Sequence, residues 1–135
     1  MVKGLHQRLK EKDMSGQPVL VWCEIPVTDL AKSAKFYETV FGLTTSLDDT
    51  GPNPMVNLTS DMQSIAGHLY PGTPAPDGGN TVHLALGDKL EDGMQRCWDA
   101  GGEVVSPVVT IPPGRFAYAK DLDGNSIGLF EPAMA

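Results

Sequence analysis

A strand-and-helix segment occurs twice in this chain, at a separation of 59 residues. The first copy runs from Trp22 to Gly42 and the second from Thr81 to Gly101. In each copy an apolar run of strand type leads to an aspartate, and apolar residues at helical spacing follow it. Because one such unit cannot bury its apolar face alone, we expect two similar half-domains packed together.

The apolar pattern predicts the order β-α-β-β-β in each half. In the first half Thr28 or Asp29 supplies the helix N-cap. In the second half Asp88 opens the helix, and Trp98 on its apolar face is expected to be core. Residues 123–125, Asp-Gly-Asn, are typical of a hairpin turn.

These elements predict an α+β fold in which each helix covers one face of its sheet. The uncovered faces together would curve around a central cavity suited to a small molecule. A segment with three prolines and three glycines separates the halves and is expected to be loop. The predicted organisation is a tail at 1–17 and a single domain at 18–134, made of module 18–70, linker 71–79 and module 80–132.

The chain is acidic, with a formal net charge of −7 and a pI near 4.7. Nucleic acids and anionic membrane surfaces both attract basic patches, so we expect neither as a partner. No apolar run approaches the roughly 20 residues that cross a bilayer. Cys23 and Cys97 have no metal-type or redox-type spacing, which predicts reduced thiols and a cytoplasmic location.

Three sequence motifs match those of a known family. They are Ile25-Pro-Val-Thr-Asp-Leu30 with Phe36-Tyr-Glu-Thr-Val-Phe-Gly42, then Gly114-Arg-Phe-Ala, then Asp121-Leu-Asp-Gly-Asn-Ser-Ile-Gly-Leu129. Over about residues 19–132 the chain resembles the vicinal oxygen chelate superfamily of glyoxalases, bleomycin resistance proteins and extradiol dioxygenases. The resemblance implies two paired βαβββ modules forming a cup-shaped mixed sheet, and a homodimer. It implies no single activity, since this fold carries metal-dependent enzymes and metal-free binders.

Metal-using members of the superfamily take ligands from equivalent strand positions in the two modules. The resemblance puts the first-strand ligands at Trp22 and Thr81. It puts the last-strand ligand at Gly128, with Ala66 as its counterpart in the first module. These residues do not supply histidine or glutamate coordination, so we expect no cofactor at the usual metal positions.

Moving two residues along each strand keeps the same face and gives four other positions: Glu24, His68, His83 and Phe130. Glu24 and His83 are equivalent positions of the two modules at the offset of 59 residues. His68 and Phe130 are equivalent at an offset of 62 residues, which comes from matching the turn at Asp61 with the turn at Asp123. Two histidines and a carboxylate suit Fe(II), Mn(II), Ni(II) or Zn(II), so Glu24, His68 and His83 form an alternative metal site. If no metal is bound, Glu24 and His83 are expected to be a catalytic pair, hydrogen-bonded to each other or to a ligand. A carboxylate in an apolar strand requires such a partner.

Several other side chains are candidates for ligand contact, and each has a structural alternative. Trp22 either fills the core or offers its ring to a planar molecule. Tyr118 either lines the cavity, together with Phe116, or packs under the helix. Arg115 either binds an anionic substrate or is an ordinary surface residue, and His68 is equally compatible with a position at the rim. The predicted ligand-binding residues are Trp22, His68, Arg115, Tyr118 and Phe130.

The leading hypothesis is a glyoxalase/bleomycin-resistance-like protein that binds or transforms a small organic molecule in the central cavity, without the usual metal ligands. The alternative is a metal-dependent lyase, isomerase or dioxygenase that uses the displaced Glu24, His68 and His83 site. A third class, a non-catalytic subunit that binds a protein partner, has no positive support in the sequence.

Overall fold

The computed structural model describes residues 19–61, 63–64 and 66–134. The predicted tail at 1–17 lies outside these residues. Each half of the described chain has one helix and its own sheet. Among the described residues, no helix has the length and apolar character needed to span a membrane.

The first module has a four-stranded mixed sheet with the strand order β1-β4-β3-β2. Strands β1 and β4 are parallel, and the other neighbours are antiparallel. The elements are β1 (Cys23–Val27), α1 (Leu30–Phe41), β2 (Ser46–Asp48), β3 (Met55–Asn57) and β4 (Gly67–Pro71).

The second module repeats this arrangement, with the strand order β5-β9-β8-β6 and a further strand, β7, also paired with β8. The outer strand predicted after the helix is therefore divided in two. Pro107 lies between the two parts and has no backbone N–H for the ladder. The elements are β5 (Val82–Ala85), α2 (Leu90–Asp99), β6 (Glu103–Val104), β7 (Val109–Ile111), β8 (Gly114–Lys120) and β9 (Ser126–Pro132).

The two sheets confirm the predicted α+β class with paired βαβββ modules. They are not joined into one closed sheet: within the described residues β1 pairs only with β4, and β5 only with β9. Strands β1 and β5 instead contribute to the lining of one shared cleft. The cup is therefore made of two sheets that meet at a gap.

Helix α1 begins and ends as the sequence predicts. The Asp29 side chain accepts a hydrogen bond from the backbone N–H of Lys32 (3.0 Å), which satisfies a free donor of the first turn. Gly42 ends the helix with φ 69°, a conformation that glycine adopts without a Cβ clash. Phe36 and Val40 on the inner face are buried.

Helix α2 departs from the prediction at its start. Its N-cap is Lys89, which makes no side-chain capping bond, and Asp88 instead forms a bidentate ion pair with Arg96 (2.6 and 2.9 Å). The free N–H of Leu90 is satisfied from another strand, by the Glu131 carboxylate (2.8 Å). The prediction that Asp88 opens the helix was wrong because a more distant carboxylate occupies the capping position.

One hydrophobic core lies between the helices and the sheets of both modules. In β1, Ile25 and Val27 face this core while Glu24 faces away, as the two-residue period of a strand requires. In α2 the buried residues include Leu90 and Cys97, whereas Trp98 is 53% exposed. The expectation that Trp98 belongs to the core was therefore wrong.

The predicted hairpin turn at 123–125 fastens the second module to the first. The Asn125 amide donates to the Pro26 carbonyl (2.7 Å) and to Asp121 (2.9 Å), and the Tyr37 hydroxyl donates to Asp121 (2.6 Å). Asp123 accepts hydrogen bonds from both the backbone and the hydroxyl of Thr28. Because Pro26 lies on β1, this turn determines where β1 stands relative to β9.

Candidate functional site

A cleft of about 710 Å³ opens between the modules, and its volume is within the range of small-molecule sites. Strand β1 forms one wall and strand β5 the other. The loop at 75–80 and the start of β9 complete the lining. The polar and aromatic side chains that reach the cleft include Trp22, Glu24, Asn80, Thr81, His83 and Ser126.

On the first-module wall, one histidine connects two cleft residues. The Trp22 indole N–H donates to Nδ1 of His68 (3.1 Å), and Nε2 of His68 lies 3.2 Å from Oε1 of Glu24. Since Nδ1 accepts a hydrogen bond, the proton of a neutral ring is on Nε2, on the side that faces Glu24. His68 is only 8% exposed, so it supports Trp22 and Glu24 from beneath.

Trp22 is not core filling, because its side chain is 44% exposed and lines the cleft. Its hydrogen bond to His68 holds the edge of the indole, with the ring centroids 5.8 Å apart. The ring is therefore an oriented apolar surface at the wall of the cleft.

Glu24 lines the cleft but is less enclosed than expected from its apolar strand. Its side chain is 66% exposed, and its partner is His68 on the adjacent strand β4 rather than His83. The predicted hydrogen bond between Glu24 and His83 is therefore absent. The requirement for a partner is met within the first module.

On the second-module wall, His83 lies among aromatic rings. Its ring centroid is 4.9 Å from that of Phe116 and 5.8 Å from those of Tyr118 and Phe130. Desolvation by these neighbours lowers the pKa of His83, which favours the neutral imidazole. Tyr118 and Phe130 thus lie beside His83 on the uncovered face of their sheet and support it, without being among the residues that line the cleft.

The strand register corrects one correspondence made from the sequence. Glu24 pairs with His68 on β4, and His83 pairs with Gly128 on β9. The counterpart of His68 is therefore Gly128, at an offset of 60. The predicted pairings of His68 with Phe130 and of Ala66 with Gly128 were wrong. The hairpin loops differ in length between the modules, so an offset measured at the turns does not hold in the strands.

For Arg115 the sequence left two alternatives, an anionic substrate or an ordinary surface position, and the structure shows it paired with carboxylates of its own module. Its guanidinium forms two hydrogen bonds with Glu91 (both 2.9 Å) and one with Glu131 (2.6 Å). This contact lowers the pKa of Glu91 to about 2. Arg115 does not line the cleft and serves to join β8, β9 and the start of α2.

The linker is a part of the site that the sequence pattern missed. Its glycines and prolines predict a loop, and nothing in them predicts what the loop contacts. The Gly78 carbonyl accepts a hydrogen bond from Ser126 N–H (3.0 Å), which fixes the loop against β9. Asn80 and Thr81 consequently reach the cleft, where the Thr81 and Ser126 hydroxyls are 2.6 Å apart.

The residues present do not fit the metal ion that the resemblance implies. With the corrected register the four usual positions are Trp22, His68, Thr81 and Gly128, and only His68 has a ligand-type side chain. The Nδ1 atom of His68 already accepts a hydrogen bond from Trp22, and its Nε2 atom lies 3.2 Å from Glu24. In the described part of the chain no group of three His, Cys, Asp or Glu side chains could hold a metal, so the alternative Glu24, His68 and His83 site is not assembled.

The structure is therefore that of a two-module α+β protein, with a cleft between the first strands of its two βαβββ modules. The sequence model of the Glyoxalase/Bleomycin resistance protein/Dioxygenase superfamily matches residues 19–129. The chain belongs to this superfamily, as its motifs predicted.

Similarity to individual proteins is lower. Proteins of Mycobacterium bovis and Mycobacterium tuberculosis, both named "Putative glyoxylase CFP32", are 30% identical to this chain over 117 residues. The matched region is 84% of this chain but 44% of each relative. This chain therefore spans less than half the length of these relatives.

Solved structures share the fold over most of the chain. TnmS3 from Streptomyces sp. CB03234, described as an antibiotic binding protein, is 25% identical with a TM-score of 0.64, and the match covers 86% of this chain and 97% of TnmS3. A glyoxalase/bleomycin resistance protein from Albidiferax ferrireducens is 18% identical with a TM-score of 0.66, and the match covers 86% of this chain and all of that chain. The second similarity concerns the fold alone.

Proposed function

We propose that this protein binds a small planar organic molecule in the cleft between its modules, without a metal ion at the usual family positions. The observation that carries the proposal is the half-exposed Trp22 ring, held by His68 at the wall of a cleft of about 710 Å³. An aromatic surface whose orientation is already determined loses little entropy when a flat ligand stacks on it.

The chemistry of the lining supports binding of this kind. Trp22, just before β1, and Pro26 on β1 provide apolar contact area, and Asn80 and Thr81 provide hydrogen-bonding groups in the same cleft. A predominantly apolar site with a few polar groups is the usual composition of a small-molecule pocket. Glu24 and His83 stay our candidates for proton transfer if the bound molecule is also transformed.

The metal-dependent alternative receives less support from the residues. It requires three ligand side chains that converge on one point, and the described residues offer no such group of His, Cys, Asp or Glu. A relative points the same way: TnmS3 is described as an antibiotic binding protein. We therefore favour ligand binding over metal-assisted chemistry.

Fluorescence of the two tryptophans tests the proposal directly. The Trp98→Phe variant leaves Trp22 as the only indole, and the Trp22→Phe variant leaves only the exposed Trp98. With quinoline as the planar probe, we expect saturable quenching in Trp98→Phe and only collisional, non-saturating quenching in Trp22→Phe. Trp98 is the matched control because it lies on α2, away from the cleft.

Two results would contradict the proposal. Absence of saturable quenching in Trp98→Phe up to millimolar quinoline would remove the planar-ligand assignment. Saturable quenching in Trp22→Phe would move the binding site to α2. Homodimer formation, a cytoplasmic location and the lack of nucleic-acid or membrane partners stay predictions of the sequence.

A further inference from the structure

The charge of the cleft carries information about its ligand. Glu24 is the only Asp, Glu, Lys or Arg among the described residues that line the cleft. Arg115, which the sequence offered as a site for an anionic substrate, is bound to Glu91 and Glu131 instead. We infer that the cleft selects planar organic cations, such as quaternised or protonated nitrogen heterocycles, over neutral and anionic molecules of the same shape.

The histidine beneath Glu24 does not cancel its charge. The Nδ1 atom of His68 accepts a hydrogen bond from the Trp22 indole N–H, so the neutral ring carries its proton on Nε2, which lies 3.2 Å from Oε1 of Glu24. Among the described residues the other carboxylate oxygen, Oε2, has no hydrogen-bond partner. The carboxylate is therefore held in position while one oxygen stays free for a ligand.

Glu24 and Trp22 together form the recognition unit. Trp22 directly precedes β1 and Glu24 lies on it, two residues further along the chain, and both side chains contact His68. The negative face of an indole attracts a cation, and a carboxylate beside it attracts the same charge. His68 is the positioning residue, because a single ring contacts both members.

The rest of the protein adds to this preference. Its formal net charge is −7, which repels anions and attracts cations before contact. The Arg96 guanidinium is paired with Asp88, as Arg115 is with Glu91, so neither arginine is free to receive a ligand carboxylate. Anionic ligands would meet Glu24 with no opposing positive charge in the described lining.

This inference rests on the proposed planar-ligand function, and one experiment separates the two. In the Trp98→Phe background, Kd is measured by Trp22 quenching for 1-methylquinolinium, for quinoline and for quinoline-4-carboxylate. The measurement is made at low ionic strength and about pH 8, where quinoline is neutral and histidines are unprotonated. We expect the cation to bind about tenfold more tightly than quinoline, or about 1.4 kcal/mol, and the carboxylate to bind most weakly.

Variants then assign the preference to its residues. Glu24→Gln should bring the ratio of the two Kd values, quinoline over 1-methylquinolinium, close to one. Glu103→Gln removes the same charge from an exposed strand outside the cleft and should leave the ratio near its original value. His68→Gln should lower the ratio, since both Glu24 and Trp22 lose their support.

Each outcome has a definite meaning. Equal affinity for quinoline and 1-methylquinolinium, or a preference that persists in Glu24→Gln, would overturn the cation inference and leave the planar-ligand proposal standing. A ratio that falls equally in Glu103→Gln would assign the preference to net charge rather than to Glu24, and would also overturn it. Failure of all three probes to bind saturably would overturn the proposed function itself.

Discussion

The imidazole of His83 lies directly over the α-carbon of Gly128 on the neighbouring strand. A Cβ atom added at Gly128 would come within 1.9 Å of Nδ1 of His83, far inside van der Waals contact. The absence of a side chain at Gly128 is therefore what allows His83 to lie against Phe116 and Phe130. In the first module the strand position that corresponds to Gly128 is His68, which pairs with Glu24 as Gly128 pairs with His83.

Gly128→Ala should displace His83 and destabilise the fold. The new methyl group forces the ring out of the aromatic cluster, and overpacking of this kind costs about 1–3 kcal/mol. Urea unfolding gives the stability change, and the NMR signal of the His83 ring reports its displacement. Gly87→Ala is the matched control, because a Cβ at Gly87 meets nothing within 4 Å. Equal stability of the two variants with an unmoved His83 signal would contradict this account.

His83 should titrate below the ordinary histidine value of 6.5, because burial among aromatic rings disfavours its charged form. The unfolded chain then binds the extra proton first, so the free energy of unfolding falls as the pH decreases through 6.5 toward the folded pKa. Above 6.5 this contribution is fully present. The NMR titration of His83 measures the midpoint, and His83→Gln should remove this part of the pH dependence. A midpoint at or above 6.5 would refute the proposed environment.

Arg115→Met should change acid stability without a large effect on ligand binding. The Glu91 pKa of about 2 is set first by its hydrogen bonds from Arg115, so it should return toward 4.5 in the variant. In the parent protein the stabilising contribution of Glu91 is present above 4.5 and is lost as the pH falls from 4.5 to about 2. Unfolding measured across this window should therefore show a weaker pH dependence in Arg115→Met. Quinoline affinity should stay within about twofold, a factor equivalent to well under 1 kcal/mol; a large loss of affinity would restore Arg115 to the site.

Asn125→Ala should weaken both the fold and the cleft. The Asn125 amide donates to Pro26 and Asp121, and its loss leaves those two acceptors without this donor at about 1–3 kcal/mol for a buried group. Because Pro26 lines the cleft, ligand affinity should fall as well. The control is Asn53→Ala, at an exposed loop position. Unfolding free energies and quinoline titrations of both variants provide the test, and equal values would show that the turn does not determine the position of β1.

Much of the secondary structure was predictable from short stretches of sequence. Helix α1 follows from apolar residues at helical spacing between a capping Asp29 and Gly42. The turn at 123–125 follows from its Asp-Gly-Asn signal, and the uncovered face of β1 follows from the alternation of its residues. Each of these features depends on interactions that span only a few residues.

Contacts between distant residues were predicted less well. His68 is 46 residues from Trp22, and its hydrogen bond with Trp22 and its contact with Glu24 depend on the pairing of β4 with β1. Asp88 lost its predicted capping role because Glu131 approaches Leu90 from another strand. Trp98 satisfied the apolar pattern of α2, but no partner element covers it in the described chain.

The amino-acid sequence by itself determined the superfamily, the order of the elements and the set of residues that face away from the core. These follow from local periodicity, capping and turn chemistry, which act along the chain. Only the tertiary structure decided that Glu24 belongs with His68, that His83 rests on Gly128, and that Arg115 is engaged elsewhere. Strand register is the physical reason: hydrogen bonding between strands aligns residues that no local signal relates, and a displacement of two residues keeps the face while changing every partner.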